Sequence, residues 1–160
     1  TCVQLLDGIN YTISVSRVGD GSMISSAFVD TANIYRLQNV NASSFVANNG
    51  VLTWQTVENN NGYAITMINT TTNTNYNFSV AKDVTSIDFS AVTYNGTDLL
   101  PKGNYKAKIR VLGSDKINSL QIESGIIFEK LKKVTKCDIK GSLIEWDSIE
   151  SLKKCIESEY

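Results

Sequence analysis

The sequence predicts an all-β chain, an antiparallel β-sandwich of seven strands, and three observations carry that expectation. Short alternations of apolar and polar residues recur along it, turn residues interrupt them every roughly 8 to 12 positions, and helical spacing of apolar residues is nearly absent before residue 147. A barrel is the second closed solution to the same pattern. With 160 residues, 42% of them hydrophobic, the chain is long enough to bury a core in one domain or slightly more.

The strands follow in order. Tyr35 to Phe45 reads as a first strand region of mixed pattern. Asn49-Gly50 is a tight-turn dipeptide leading into Val51 to Gln55, where Leu52 and Trp54 share one face and Thr53 and Gln55 the other. Asn60-Asn61-Gly62 turns the chain into Tyr63 to Met67, with Tyr63, Ile65 and Met67 on one face. The polar tract Asn69 to Asn75 reads as a loop, Tyr76 to Val80 alternates again, and Ile87-Asp88-Phe89 starts a further strand before the Asn95-Gly96 turn. Tyr105 to Val111 is apolar and basic by turns, and a last run lies around Leu120 to Ile127.

The chain also repeats itself at an offset of about 94 residues. Tyr11 to Val15 matches Tyr105 to Ile109, Gly19 matches Gly113, Ser25 matches Ser119, and Ile34 to Leu37 matches Phe128 to Leu131. Val51 to Glu58 then recurs as Leu143 to Glu150, two residues early, which implies a shortened loop. Residues 1–33 therefore read as the C-terminal part of one unit, 34–125 as a complete unit and 126–160 as the N-terminal part of a third. For Asp147 to Tyr160 a strand pair and a helix both fit, since Ile149, Leu152, Lys153 and Ile156 have helical spacing.

Composition excludes several classes of function. Fifteen basic against 16 acidic residues leave a net charge of −1, too weak a field to gather nucleic acid or an anionic membrane. The chain has no His, so imidazole-dependent triads and the commonest metal ligand are missing. Cys2, Cys137 and Cys155 are too few and too scattered for a zinc cage, and allow one bridge, Cys137 to Cys155, or free thiols. No apolar run reaches the roughly 18 residues of a membrane helix, so no membrane insertion is expected and the chain is expected to be soluble.

At Leu99-Leu100-Pro101-Lys102-Gly103-Asn104-Tyr105 the sequence resembles the Leu, Pro-Gly, Tyr corner before the sixth strand of fibronectin type III domains. Trp54 on the second strand, Tyr63 on the third and the Gly-containing loop Val111 to Ser114 agree with that likeness. The segment Asn49 to Trp54, followed by Val57-Glu58-Asn59 and Gly62-Tyr63, is similar to tandem fibronectin-type repeats of large secreted or cell-wall proteins of low-GC bacteria. Lys102 between Pro and Gly departs from the pattern, as does Leu6-Asp7-Gly8, which lacks the Pro. The resemblance implies an immunoglobulin-like sandwich on the cell surface or outside the cell. Its framework residues are Trp54, Tyr63, Leu99, Pro101, Tyr105 and, in the next unit, Trp146.

Candidate chemical sites are few. Asp20, Asp98 and Asp115 lie in loops but lack the spacing of a calcium loop. Glu58 and Asp88 have neither a base nor a Gly-rich cradle beside them. Lys102, Lys106, Lys108 and Arg110 alternate with apolar residues, which is the wet face of a half-buried strand. Sequons begin at Asn10, Asn41, Asn69, Asn77 and Asn95, in a chain so rich in Asn, Ser and Thr that about three arise by chance. The expectation is a non-catalytic module with no catalytic, cofactor or metal residues, acting as a spacer between neighbouring repeats. The alternative is an adhesion module reading a protein or glycan through loops 59–62 and 113–118. The partial end units are expected to pack on neighbouring units or on other copies of the chain.

Overall fold

A computed structural model describes residues 4–131, 137–140 and 143–146. Among these residues the chain is all-β, its ladders are antiparallel, and its single helical piece is the 3-10 turn Ala42–Ser44. The first strands form a hairpin in which β1 (Asn10–Tyr11) pairs with β4 (Ile34–Tyr35) and β2 (Ser14–Val15) with β3 (Val29–Asp30). Next come β5 (Val46–Asn48), β6 (Val51–Thr53), β7 (Tyr63–Asn69), β8 (Thr74–Val80), β9 (Ser86–Asp88), β10 (Gly103–Val111) and β11 (Gln121–Lys130). A last hairpin is made by β12 (Cys137–Lys140) and β13 (Leu143–Trp146).

Strands β5 to β11 form two sheets, one of three strands in the order β5-β6-β9 and one of four in the order β11-β10-β7-β8. The β5–β6 connection is set by Asn49 and Gly50 at φ 48 and 82, the paired left-handed conformations of a two-residue hairpin turn. Alternation then sorts each strand between core and water. Tyr63, Ile65 and Met67 of β7 and Tyr105, Ala107, Ile109 and Val111 of β10 are buried, as are Leu52, Trp54 and Phe89 on or beside the three-stranded sheet. These side chains belong to one apolar cluster that begins at Tyr35 and Leu37, to which nothing in residues 4–34 contributes.

Three sequence expectations need correction. The first strand region, Tyr35 to Phe45, is split: β4 pairs backwards with β1, Asn41 caps the 3-10 turn by accepting from Ser43 N–H, and strand structure resumes only at Val46. Local side-chain to backbone bonds from Asn and Ser outcompete an extended ladder here. Leu99 is 42% exposed and its neighbour Leu100 occupies the core. Asn69, read as the start of a loop, ends β7 and is fully buried. Strand β11 runs on through Gly125 to Lys130.

The repeat reappears as register. Tyr11 stands opposite Ile34 as Tyr105 stands opposite Phe128, and Val15 opposite Val29 as Ile109 stands opposite Ile122. The hairpin ends match bond for bond. Ser26 Oγ accepts from Arg17 N–H at 2.8 Å, as Ser119 Oγ accepts from Val111 N–H at 2.9 Å, and each serine N–H returns to the same residue's carbonyl. The equivalent of Ser119 is thus Ser26, not Ser25. Arg17 and Ser26 are nine residues apart but Val111 and Ser119 eight, and the slip is recovered by an added irregularity between Lys106 and Lys108. At the other end, β12–β13 pairs Lys140 with Leu143 and Ile139 with Ile144, the register in which β5–β6 pairs Asn48 with Val51 and Ala47 with Leu52.

Candidate functional site

The segment between the first hairpin and the two-sheet body is held from both sides. Ile34–Tyr35 is a strand of the hairpin, and the next residues form a parallel bridge, Arg36 to Ile117, with the loop after β10. Leu37 N–H donates to Ile117 O at 3.0 Å and Ile117 N–H to Tyr35 O at 2.9 Å, while Gly8 N–H reaches Arg36 O at 2.9 Å from the hairpin side. Leu37 is fully buried in the core, so the linker is anchored by packing as well as by backbone bonds.

Asp7 and Arg36 complete this joint. Asp7 Oδ1 accepts from Leu120 N–H at 3.1 Å and lies 4.0 Å from Arg36 Nε, and Arg36 Nη1 donates to Asn118 O at 2.8 Å. Both side chains are largely withdrawn from water, 14% and 17% exposed, so these charge-assisted contacts are screened less than surface pairs. Gly8 turns at φ +70, a conformation that favours glycine. The arrangement brings residues 7–9, 35–37 and 117–120 together.

The same position is occupied differently in the body. Tyr105 donates its hydroxyl to Pro101 O at 2.8 Å, the corner expected from the sequence, whereas Tyr11, four residues after Asp7, accepts from Leu6 N–H. Asn69 braces the Tyr105 corner: its Nδ2 donates to Lys102 O and to Tyr105 Oη, and its Oδ1 accepts from the N–H groups of Thr71 and Thr72. Gly103 has φ +143, and a Cβ there would lie 2.6 Å from the Asn69 amide, so the glycine of this corner makes room for that amide. Burial raises the Tyr105 phenol above its ordinary value, and the bond from Asn69 opposes that shift.

Of the framework residues, Trp54 is buried edge-on against Tyr63, ring centroids 5.4 Å apart, and Tyr63 Oη accepts from Val57 N–H. Tyr63 is therefore core. Pro101 is exposed and serves through its carbonyl. The side chains of Trp146 and Cys137 lie outside the described residues, as do Cys2 and Cys155 and the segment 147–160.

The remaining candidates are dispersed. Asp115 pairs with Lys116, which holds its carboxyl below the ordinary range, Asp98 accepts from Asn95, and Asp20 lies in the first hairpin's loop. Among the described residues no three acidic or Cys side chains are placed to share a metal ion. Asp88 accepts from Ser90, which lowers its pKa, and Glu58 is exposed in a turn. Lys106 and Lys108 both pair with Glu123 across the ladder, lowering the Glu123 pKa, while Lys102 and Arg110 are exposed. Asn10, Asn41, Asn77 and Asn95 are exposed, but Asn69 is closed to modification by burial. Loop 59–62 bonds Leu112, the residue before loop 113–118, through Asn61 N–H to Leu112 O, and Ile117 and Asn118 of the latter loop are engaged in the joint. Tyr94, an aromatic left out of the sequence reading, is 37% exposed with its ring edge-on to Tyr76.

No protein-family model, no curated protein and no solved structure matches the chain. Among the described residues no helix is long and apolar enough to cross a membrane.

Proposed function

We propose that the chain is part of a tandem array of fibronectin type III-like sandwiches and acts as a non-catalytic spacer or scaffold in a bacterial cell-surface or secreted multidomain protein. The unit read as complete, residues 34–125, is supported by three strands in one sheet, four in the other and a corner closed by the Tyr105 to Pro101 bond. The observation that carries the reading is the linker: Ile34 to Leu37 is hydrogen-bonded at once to the hairpin that repeats β10–β11 and to the loop of the unit that follows. A segment shared in this way sets the direction of one unit against the next, which is what a spacer requires.

The alternative role, adhesion through loops 59–62 and 113–118, is weakened by the use of Ile117 and Asn118 in the joint. Residual dipolar couplings on the weakly aligned chain test the spacer reading. A single alignment tensor for the amides of β1, β4, β7 and β10 is expected. Separate tensors for hairpin and body would overturn the reading in favour of a loose tether.

A further inference from the structure

Strand β8 is the outer strand of the four-stranded sheet, paired with β7 on one edge and with nothing on the other among the described residues. The phase of the ladder tells which backbone groups are left over. Thr70 N–H donates to Asn104 O and Leu112 N–H to Gly62 O, both in the β7–β10 register, so the even-numbered residues of β7 turn their N–H and C=O groups toward β10. The odd-numbered ones bond β8, at Thr74, Tyr76, Phe78 and Val80. The backbone groups of Asn75, Asn77 and Ser79 therefore point away from the sheet, and their side chains are exposed. Tyr76, Phe78 and Val80 face the core but are only partly buried, as the last row of the sheet.

The other edges of the body are guarded. Strands β5 and β9 have three residues each, and β11 carries Glu123, Glu129 and Lys130 and pairs with β10 through two irregularities. Strand β8 has seven residues, no charge, no Pro and an unbroken register, which leaves it a template for a further strand. Its sequence selects the partner. Laid antiparallel on a second β8 with Asn77 opposite Asn77, the strand pairs over its whole length. Asn75 then meets Ser79, and each of these outward pairs exchanges both of its N–H to C=O bonds. Tyr76 falls opposite Phe78, an aromatic pair along the rim of the core, while beyond the strand Lys82 falls opposite Thr72 and Asp83 opposite Thr71, so no like charges meet. We infer that β8 is a homodimerisation edge, where two copies of the chain join by an antiparallel β8–β8 ladder about a two-fold axis at Asn77. The contact lies on the flank of the body, apart from the joint at 117–120 on the β10–β11 side.

Sedimentation and amide hydrogen exchange on the full chain, each over a range of concentrations, test it. The amides of Asn75, Asn77 and Ser79 are expected to exchange freely when dilute and to gain protection as the mass rises toward a dimer. Asn77→Pro removes an N–H that bonds nothing within the sheet, so association weakens by about tenfold or more while the body's melting transition shifts little. Asn77→Lys and Asn77→Glu leave the backbone unaltered, and each sets like charges on the two-fold axis and weakens association severalfold. An equal mixture of those two sets opposite charges there and restores it. A chain monomeric at every concentration overturns the inference, as does association that leaves the three amides unprotected or survives Asn77→Pro. A mixture no better than its components overturns the register centred on Asn77. The spacer reading stands or falls separately, since hairpin and body share one alignment tensor in a monomer as well as in a dimer.

Discussion

Residues 6–35 and residues 100–130 are the same hairpin in two surroundings. Both place an aromatic opposite an apolar residue, Tyr11 with Ile34 and Tyr105 with Phe128, and both tie the loop end with a serine hydroxyl. One of them is core, while in the other Leu6, Val15 and Val29 are exposed and Tyr11 and Ile34 are half-buried. Register and loop geometry therefore follow from local sequence, whereas burial depends on whether a second sheet lies across the face.

Truncating equivalent residues separates the two hairpins most strongly. Ile109→Ala, at 1% exposure, is expected to destabilise the body by about 2–5 kcal/mol, while Val15→Ala, at 61% exposure, changes it by less than about 0.5 kcal/mol. Urea midpoints at unchanged slope read the difference, and equal effects would deny that the two faces differ in burial. Next in size is the corner. Asn69→Ala removes the amide beside Tyr105, Lys102, Thr71 and Thr72 and is expected to cost about 1–3 kcal/mol by the same assay. An unchanged midpoint would show that the Asn69 amide does not brace the corner.

At the joint, Asp7→Ala leaves Leu120 N–H and Arg36 without their carboxylate partner. The expected outcome is faster fast-timescale motion of the hairpin amides in nitrogen-15 relaxation, with the body's melting temperature shifted by no more than a few degrees. Unaltered relaxation would show that backbone pairing alone fixes the angle.

The smallest effects are those of pH and of the exposed ladder. Glu123→Gln removes the pairs with Lys106 and Lys108 and is expected to cost about 0.5 kcal/mol. Glu123, Asp88 and Asp115 have carboxyls held below their ordinary values of 4.5, 3.8 and 3.8, so they bind fewer protons folded than unfolded. Their small contribution is present above those values and lost as pH falls through and below them. Tyr105 acts at the other end. Burial raises its phenol above 10.0, so the folded chain retains a proton that the unfolded chain releases, and stability falls as pH rises past about 10. Melting temperature against pH should be level between these limits, and a Tyr105→Phe chain should lose the alkaline decline that belongs to this residue.

How much the sequence reveals depends on how local the cause is. The faces of β7, β8 and β10 are legible because one side of each strand is apolar at period two, and the Asn49-Gly50 turn because its residues fit left-handed backbone. The break before β5 is not, since it depends on Asn41 and Ser43 competing with an extended ladder. Asn69 sits in an Asn- and Thr-rich run that reads as loop, and its burial is decided by Tyr105 and Lys102 more than thirty residues away. The joint is more remote still: Arg36 meets Asn118 at a separation of 82 residues and Asp7 meets Leu120 at 113. The joint leaves one trace in the sequence: Asp7 stands where the repeat has Pro101, and Asp7 is the residue that accepts from Leu120 N–H.

Amide hydrogen exchange at the joint separates a fixed linker from a loose tether. If the linker holds two units at a fixed angle, Gly8, Leu37, Ile117 and Leu120 should be strongly protected and open together with one another, more readily than Ile65 and Ala107 of the core strands but far more slowly than free peptide. Exchange at free-peptide rates in those four amides, with Ile65 and Ala107 still protected, would contradict the account and leave the hairpin a loosely tethered neighbour.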